Sequence, residues 1–384
     1  MIIAQESVDS KSTLNNLPSK SPLETASLVL VFSSIKRFNE SKLQSFLKSR
    51  YPTAQIVGCT TSGEISPNGV FDDSIQITAI EWEKVIQRVV QNKSANMQDS
   101  FETGANLATQ LKTTTLRTVL LISDGLHVNG SELISGFQSI LGDIPIIGGL
   151  AGDGGAFSKT LQLFNDSISD SMVIAVGLYG DALVTASGAL GGWKPYGPPR
   201  KVTKSIKNVV YELDGKPALP LYKMYIGAAF SKDLPGSGLK FPLAVIEEGK
   251  RDVEKIRTLL AIDERNNSLT FAGNVDEGET IRLCQTNHDK LVEGAGAAAN
   301  LVLDGLDTQQ TKQPGLALCV SCVGRKGVMA EQVIDEVKLV QQILGSQTYI
   351  AGFYSYGEIA PRPHTSDSVL HNQTMTIGYL SETV

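Results

Sequence analysis

The sequence predicts an α/β protein made of two related halves, each a mixed β-sheet built on β-α-β crossovers plus antiparallel hairpins, with helices on the outer faces. Three observations carry that expectation. Apolar runs such as residues 27–34 and 316–322 are continuous rather than alternating, as in strands buried on both faces. Stretches of helical period separate them. One strand-and-turn phrase is also written twice: residues 56–67 read IVGCTTSGEISP and residues 349–361 read YIAGFYSYGEIAP. In both, a glycine ends the strand (Gly58, Gly352) and Gly-Glu-Ile follows (Gly63-Glu64-Ile65, Gly357-Glu358-Ile359). A degenerate third copy, IIGGLAGDGGAF, occupies residues 146–157.

In order, residues 1–26 form a mixed lead-in with a short strand at its start. Residues 27–190 hold strand 27–34, a helix with Asn39 as its cap and Leu43, Phe46 and Leu47 on one face, strand 54–58, the Gly-Glu turn, and strands 74–82 and 85–90. The same order then repeats through TVLLIS, the loop SDGLHVNG, a helix, IPIIGG, the glycine-rich turn and two more strands. Residues 191–222 are a Pro/Gly-rich junction with a connecting helix, Pro217 standing at the helix start. Residues 223–384 make the second half. A crossover between parallel strands is right-handed, so its loops gather at the strands' carboxyl ends, where ligands of open α/β sheets bind.

Composition narrows the function. A net charge of −6 spread over both halves offers no basic face for nucleic acid. No run approaches the ~20 apolar residues of a membrane span, and the N-terminus lacks a secretory signal. Four cysteines are no disulfide framework for this length, so the cytoplasm is the expected compartment.

The blocks IVGCTTSGEI, DGLHVNGSELISGF, GGLAGDGGAF, GWKPYGPPRKV, LTFAGNVDEGETIRL, SCVGRK, IAGFYSYGEIAP and HNQTMT, spread over residues 27–380, resemble the FIST domain family in its N-terminal and C-terminal parts. That resemblance implies a bacterial intracellular sensory module for a small molecule, an amino acid or related metabolite. It also brings the alternative of a haem-binding nitric-oxide sensor. No kinase, cyclase, methyl-accepting or F-box segment is recognisable, so signalling is expected through a separate partner such as a histidine kinase or cyclic-dinucleotide enzyme.

The candidate ligand site lies in the C-terminal half: Arg325, Tyr354, Tyr356, Glu358, His371, Asn372 and Cys322. Arg325 offers a planar fork for a carboxylate, and Glu358 with Tyr354 and Tyr356 beside it suits an ammonium, so together they would read a zwitterion. Against this, a glutamate kept in both turns is as readily a pin for the turn's backbone. A matching pocket in the N-terminal half would use Cys59, Ser62, Glu64, Asp124, His127 and Asp153. Cys319 and Cys322 have C-x-x-C spacing, but residues three apart in a strand face opposite ways, which leaves Cys322 as a pocket thiol or, in a further alternative, an enzyme nucleophile. No cofactor or metal is expected; in the haem alternative, His371 or His127 is the ligand. The glycine-rich turn lacks G-x-G-x-x-G order and is followed by a strand, which argues against a dinucleotide loop.

Overall fold

A computed structural model describes residues 1–40, 42–93, 97–246 and 255–383. The chain is mixed α/β with mixed sheets, and its frame is one unit used three times. Each unit has a first strand (Leu28–Ser33, Leu116–Ser123, Gly315–Cys322), a crossover helix (Leu43–Arg50, Gly130–Leu141, Ile334–Leu344) and a parallel second strand (Gln55–Thr60, Ile146–Leu150, Thr348–Ser355). A returning strand (Ile75–Glu81, Met172–Tyr179, Met375–Glu382) lies antiparallel to the first. The two clear copies of the glycine turn thus belong to matching units, and the degenerate copy belongs to a third.

The strand after each turn leaves its own unit. Glu64–Ser66 pairs with Thr348–Ser355 of the third unit, Gly357–Pro361 pairs with Ile146–Leu150 of the second, and Gln162–Phe164 pairs with Gln55–Thr60 of the first. The register is the same each time: Ile65 faces Gly352, Ile359 faces Gly148, and Leu163 faces Gly58. Those three glycines are required by close approach to the first strand. A Cβ at Gly58, Gly148 or Gly352 would lie 2.1, 2.0 or 1.8 Å from the carbonyl oxygen of Val31, Leu121 or Cys319. The repeated glycine seen in the sequence is therefore a packing requirement.

Edge strands also pair at a distance. Strands Ile75–Glu81 and Ile86–Lys93 are consecutive but not partners; Ile86–Lys93 pairs with Met172–Tyr179, and Leu183–Leu190 pairs with Met375–Glu382. Asn39, expected to cap the first helix, instead closes the short turn Ile35–Phe38 with its amide on the Ile35 carbonyl (2.9 Å). The helix begins at Leu43.

Inner faces of the three sheets meet in one core where Phe32, Ile122, Ile147, Val320 and Phe353 pack, with the Phe32 and Phe353 rings 4.7 Å apart. Each sheet's outer face packs on its own helices. A fourth region stands apart from this scheme. Residues 194–206, part of the expected junction, form one long strand of a β-rich region with its own core of Val210, Tyr222, Leu243, Phe271 and Leu283. Pro198 and Pro199 fall in its register break between Tyr196 and Arg200, where no ladder donor is needed.

Candidate functional site

The strand exchange puts residues that are distant in sequence at the carboxyl ends of the parallel strands, and it separates several that the sequence had grouped. Arg325 is fully buried and pairs with Glu336 rather than Glu358, Nη2 to Oε2 at 2.5 Å. It also donates to the carbonyls of Gly191 (2.5 Å) and Leu291 (2.9 Å). Glu336 accepts in addition from Ser321 Oγ (3.0 Å) and the Tyr354 hydroxyl (2.6 Å). This cluster joins the segment at 191 to two helices and engages both Arg325 amino groups and the Tyr354 hydroxyl, leaving the buried Arg325 Nε without a partner among the described residues. Glu336 was missed in sequence. The available signal was an acid four residues before buried Val340, on the apolar stripe of its helix.

Glu358 is fully buried too, accepting from Ser355 Oγ (2.7 Å) and Thr374 N–H (3.2 Å). Burial, against hydrogen bonds from Ser355 and Thr374, pushes its carboxyl up to about 8. Glu64 is held the same way by Thr61 Oγ1 (2.5 Å), Ser74 Oγ (2.8 Å) and Ser74 N–H (3.1 Å), and burial raises it to about 7. In the second unit Gln162 takes this place, its Oε1 accepting from Met172 N–H at 2.9 Å. Both glutamates therefore pin turns, and no ammonium site forms at Glu358.

The histidines do not fit haem. Burial pushes His371 down to about 4, so it is neutral, and its Nε2–H donates to Ala360 O at 3.1 Å. Asn372, buried beside it, donates to the His371 carbonyl (2.8 Å). His127 turns an exposed side chain to solvent with Nδ1 on Asp124 (3.1 Å). Among the described residues no cluster of three or more His, Cys, Asp or Glu is placed to hold a metal. Cys322 is buried, and burial, with Glu358 beside it, pushes its thiol up and away from the thiolate a nucleophile needs. Cys59 lies in the central core and Ser62 is buried in its turn. Asp124, also buried, pins its loop by accepting from His127 N–H (2.6 Å) and Thr160 Oγ1 (2.5 Å).

What the exchange brings together is Tyr356 of the third unit and the glycine-rich loop of the second. Asp153 accepts from the N–H groups of Phe157 (2.8 Å), Ser158 (2.7 Å) and Lys159 (2.8 Å) and from the Tyr356 hydroxyl. Burial opposes its charge, but these donors hold the Asp153 carboxyl below the usual range. The Phe157 ring then stacks on Tyr356, centroids 4.2 Å apart and planes 10° from parallel. Phe157 has φ of 52°, the left-handed region that a bulky residue avoids, and its side chain is 40% exposed.

Phe157 and Tyr356 form one wall of a cleft of about 190 Å³. Leu126, Val128 and Leu150 of the second unit form another, and Leu260, Phe271 and Asn208 of the β-rich region close it. None of the described lining residues carries a charge. Asn208 Nδ2 donates to the Phe271 carbonyl (2.8 Å), which leaves Oδ1 as an acceptor without a partner among the described residues. The cleft can thus hold a neutral, flat, mostly apolar molecule with one donor group. Its volume compares with the ~150 Å³ cavity that takes up one benzene ring.

The FIST N domain matches residues 27–216 and the FIST C domain matches residues 218–361. The chain belongs to the FIST family. FIST domains are recognised as sensory, ligand-binding modules associated with signalling proteins. It is 25% identical over 367 residues to an uncharacterized protein of Methanocaldococcus jannaschii, across 87% of this chain and 66% of that one. It is 27% identical over 252 residues to an uncharacterized protein of Mycobacterium tuberculosis, across 63% of each. The chain spans just under two thirds of the length of these curated relatives. Among solved structures, a cyanuric acid hydrolase from A. caulinodans aligns over 100% of this chain and 99% of its own, with a TM-score of 0.39 and 6% identity. No helix is long and apolar enough among the described residues to cross a membrane.

Proposed function

We propose that this FIST protein senses a small neutral metabolite of single-ring size, bound in the cleft between the glycine-rich loop, Tyr356 and the β-rich region. The observation that carries the reading is Phe157, held in a left-handed conformation by Asp153 and the Tyr356 hydroxyl so that its ring lines the cleft. A metabolite related to an aromatic amino acid but lacking its paired charges suits the uncharged walls better than a zwitterion. A bound ring stacks on Phe157 and offers its donor to Asn208 Oδ1. The ligand then touches the second unit, the exchanged strand of the third and the β-rich region at once, so occupancy fixes the three against one another. A separate signalling protein, such as a histidine kinase or cyclic-dinucleotide enzyme, reads that change in the cytoplasm, a compartment in keeping with four buried free cysteines.

The test is a thermal-shift panel of neutral single-ring compounds, benzamide and phenol among them, beside free amino acids. At 100 times its Kd a ligand adds ~2.7 kcal/mol of stability. At least one neutral compound is expected to stabilise the protein, with Tyr356→Ala abolishing the shift. Stabilisation by amino acids alone, or shifts indifferent to Tyr356→Ala, would contradict the reading.

A further inference from the structure

A second cavity, of about 170 Å³, lies where the β-rich region meets helix Gly130–Leu141 and strand Ser368–His371. It shares no lining residue with the aromatic cleft. Its chemistry is the opposite. Among the described residues, Lys255, Arg257 and Arg362 line it against one acid, Asp276, together with Ser131 and Ser135.

Arg257 is the decisive residue. Its side chain is buried, only 4% exposed, yet no carboxylate among the described residues forms an ion pair with it. Its guanidinium is held by backbone carbonyls: Nε donates to Asn274 O (2.9 Å), and Nη1 to Ile256 O (2.9 Å) and Leu370 O (3.1 Å). A guanidinium has five N–H donors, and these three bonds leave Nη2 without a partner among the described residues. Burial lowers the group to about 10, with Glu279 and Asp276 opposing from a distance, so it stays cationic at neutral pH. A buried cation without a counter-ion is costly and is normally paired. The other lining cations have theirs: Lys255 pairs with Glu279 (2.6 Å) and Arg362 with Asp367 (3.0 Å). Ser131 Oγ accepts from Asn274 N–H (3.3 Å) and keeps its own proton to donate, as does Ser135, which has no hydrogen-bond partner among the described residues. The cavity thus offers a fixed arginine amino group, a lysine ammonium and two hydroxyl donors around space worth roughly five or six waters at ~30 Å³ each.

The geometry points to an oxyanion site, built for the phosphate group of inorganic phosphate or of a small phosphomonoester, with Arg257 as its anchor and Ser131, Ser135 and Lys255 as further donors. A tetrahedral anion matches convergent donors from three directions, and a guanidinium is the group suited to it. Because Arg257 comes from the β-rich region, Ser131 and Ser135 from the second unit, and Leu370 from the third, the bound anion would clamp the same three parts that meet at the aromatic cleft.

The protein is tested by thermal shift and calorimetric titration with sodium phosphate and with glycerol phosphate, against sodium chloride of equal ionic strength. Saturable stabilisation beyond the chloride control is expected. Ser135 is solvent-exposed on its helix, so Ser135→Asp should fold normally, place a carboxylate in the cavity and abolish the response. Lys255→Gln should weaken binding about tenfold or more, as loss of a hydrogen bond to a charged group does. Tighter binding of glycerol phosphate names a phosphorylated metabolite as the source, and equal or weaker binding names free phosphate; either supports the site. Phosphate no better than chloride, or an undiminished response in Ser135→Asp, overturns it. Tyr356→Ala should leave the phosphate response intact, which separates this site from the aromatic cleft.

Discussion

In the first unit the chain passes from its parallel strands to the exchanged strand through residues 61–63, and in the third through Tyr356 alone. In the second, residues 151–161 intervene. The short turns are closed by buried glutamates, Glu64 and Glu358, with every oxygen engaged by neighbouring hydroxyls and amides. The long one has replaced the acid by Gln162 and gained Asp153 and Phe157, which build one wall of the cleft. Equivalent positions in a repeated frame therefore divide the labour. Two turns share the glutamate and are architecture; the third differs and carries one wall of the proposed binding cleft.

The largest expected effect lies in the frame. Glu336→Ala strands Arg325 as a buried, uncompensated cation and should cost about 3–5 kcal/mol in urea unfolding. A cost below about 1 kcal/mol, the range of exposed pairs, would mean that the Arg325 cluster is open to water, and would return it to candidacy as a ligand site.

Next comes the junction of frame and cleft. Tyr356→Phe removes a hydroxyl bonded to a charged carboxylate and should cost about 1.5–3 kcal/mol. Amide hydrogen exchange at residues 154–159 should quicken in the same variant, since the hydroxyl also accepts from the N–H groups of Gly155 and Phe157.

The glutamate turns give a pH signature. Glu64 and Glu358 are raised in the fold to about 7 and about 8, above the ordinary 4.5, so the folded state holds more protons than the unfolded chain in between. Their contribution to stability is full below about pH 4.5 and is lost as pH rises towards 8. Glu358→Gln, which copies the amide that Gln162 supplies in the second unit, should flatten the upper part of that decline and match or exceed the wild type in unfolding free energy at about pH 8. A steeper decline in the variant would mean that Glu358 is ionised in the fold.

The smallest effect on stability, and the sharpest on binding, belongs to Phe157→Gly. Relief of the left-handed backbone, about 1–2 kcal/mol, offsets loss of a stacked pair worth about 0.5–1.5 kcal/mol, so the midpoint should barely move while ligand response disappears.

Much of this frame was legible in the sequence because it is local. Continuous apolar runs, crossover helices and the thrice-written glycine phrase announce parallel strand pairs, and the degenerate copy marked the loop that matters. The exchange was not legible. Glu64, Gln162 and Glu358 open strands that pair outside their own unit, and nothing in a strand's composition names its partner. Asp153, Asp124 and His127 on one side and Tyr356 on the other were read as two pockets for that reason, and the exchange joins Asp153 to Tyr356. Arg325 beside Glu358 was inferred from loop position, whereas helix Ile334–Leu344 supplies the nearer acid. A third of the cleft lining, Asn208, Leu260, Phe271 and Ala272, comes from the β-rich region, whose docking no motif encodes.

The central claim, that ligand binds at the turn which diverged rather than at those which kept their glutamate, is most directly tested by a crystal structure of the protein with whichever neutral single-ring compound stabilises it best. The account predicts density stacked on the Phe157 ring, between Tyr356 and Leu260, with a donor at Asn208. Density beside Glu358, Arg325 or His371 instead would contradict it.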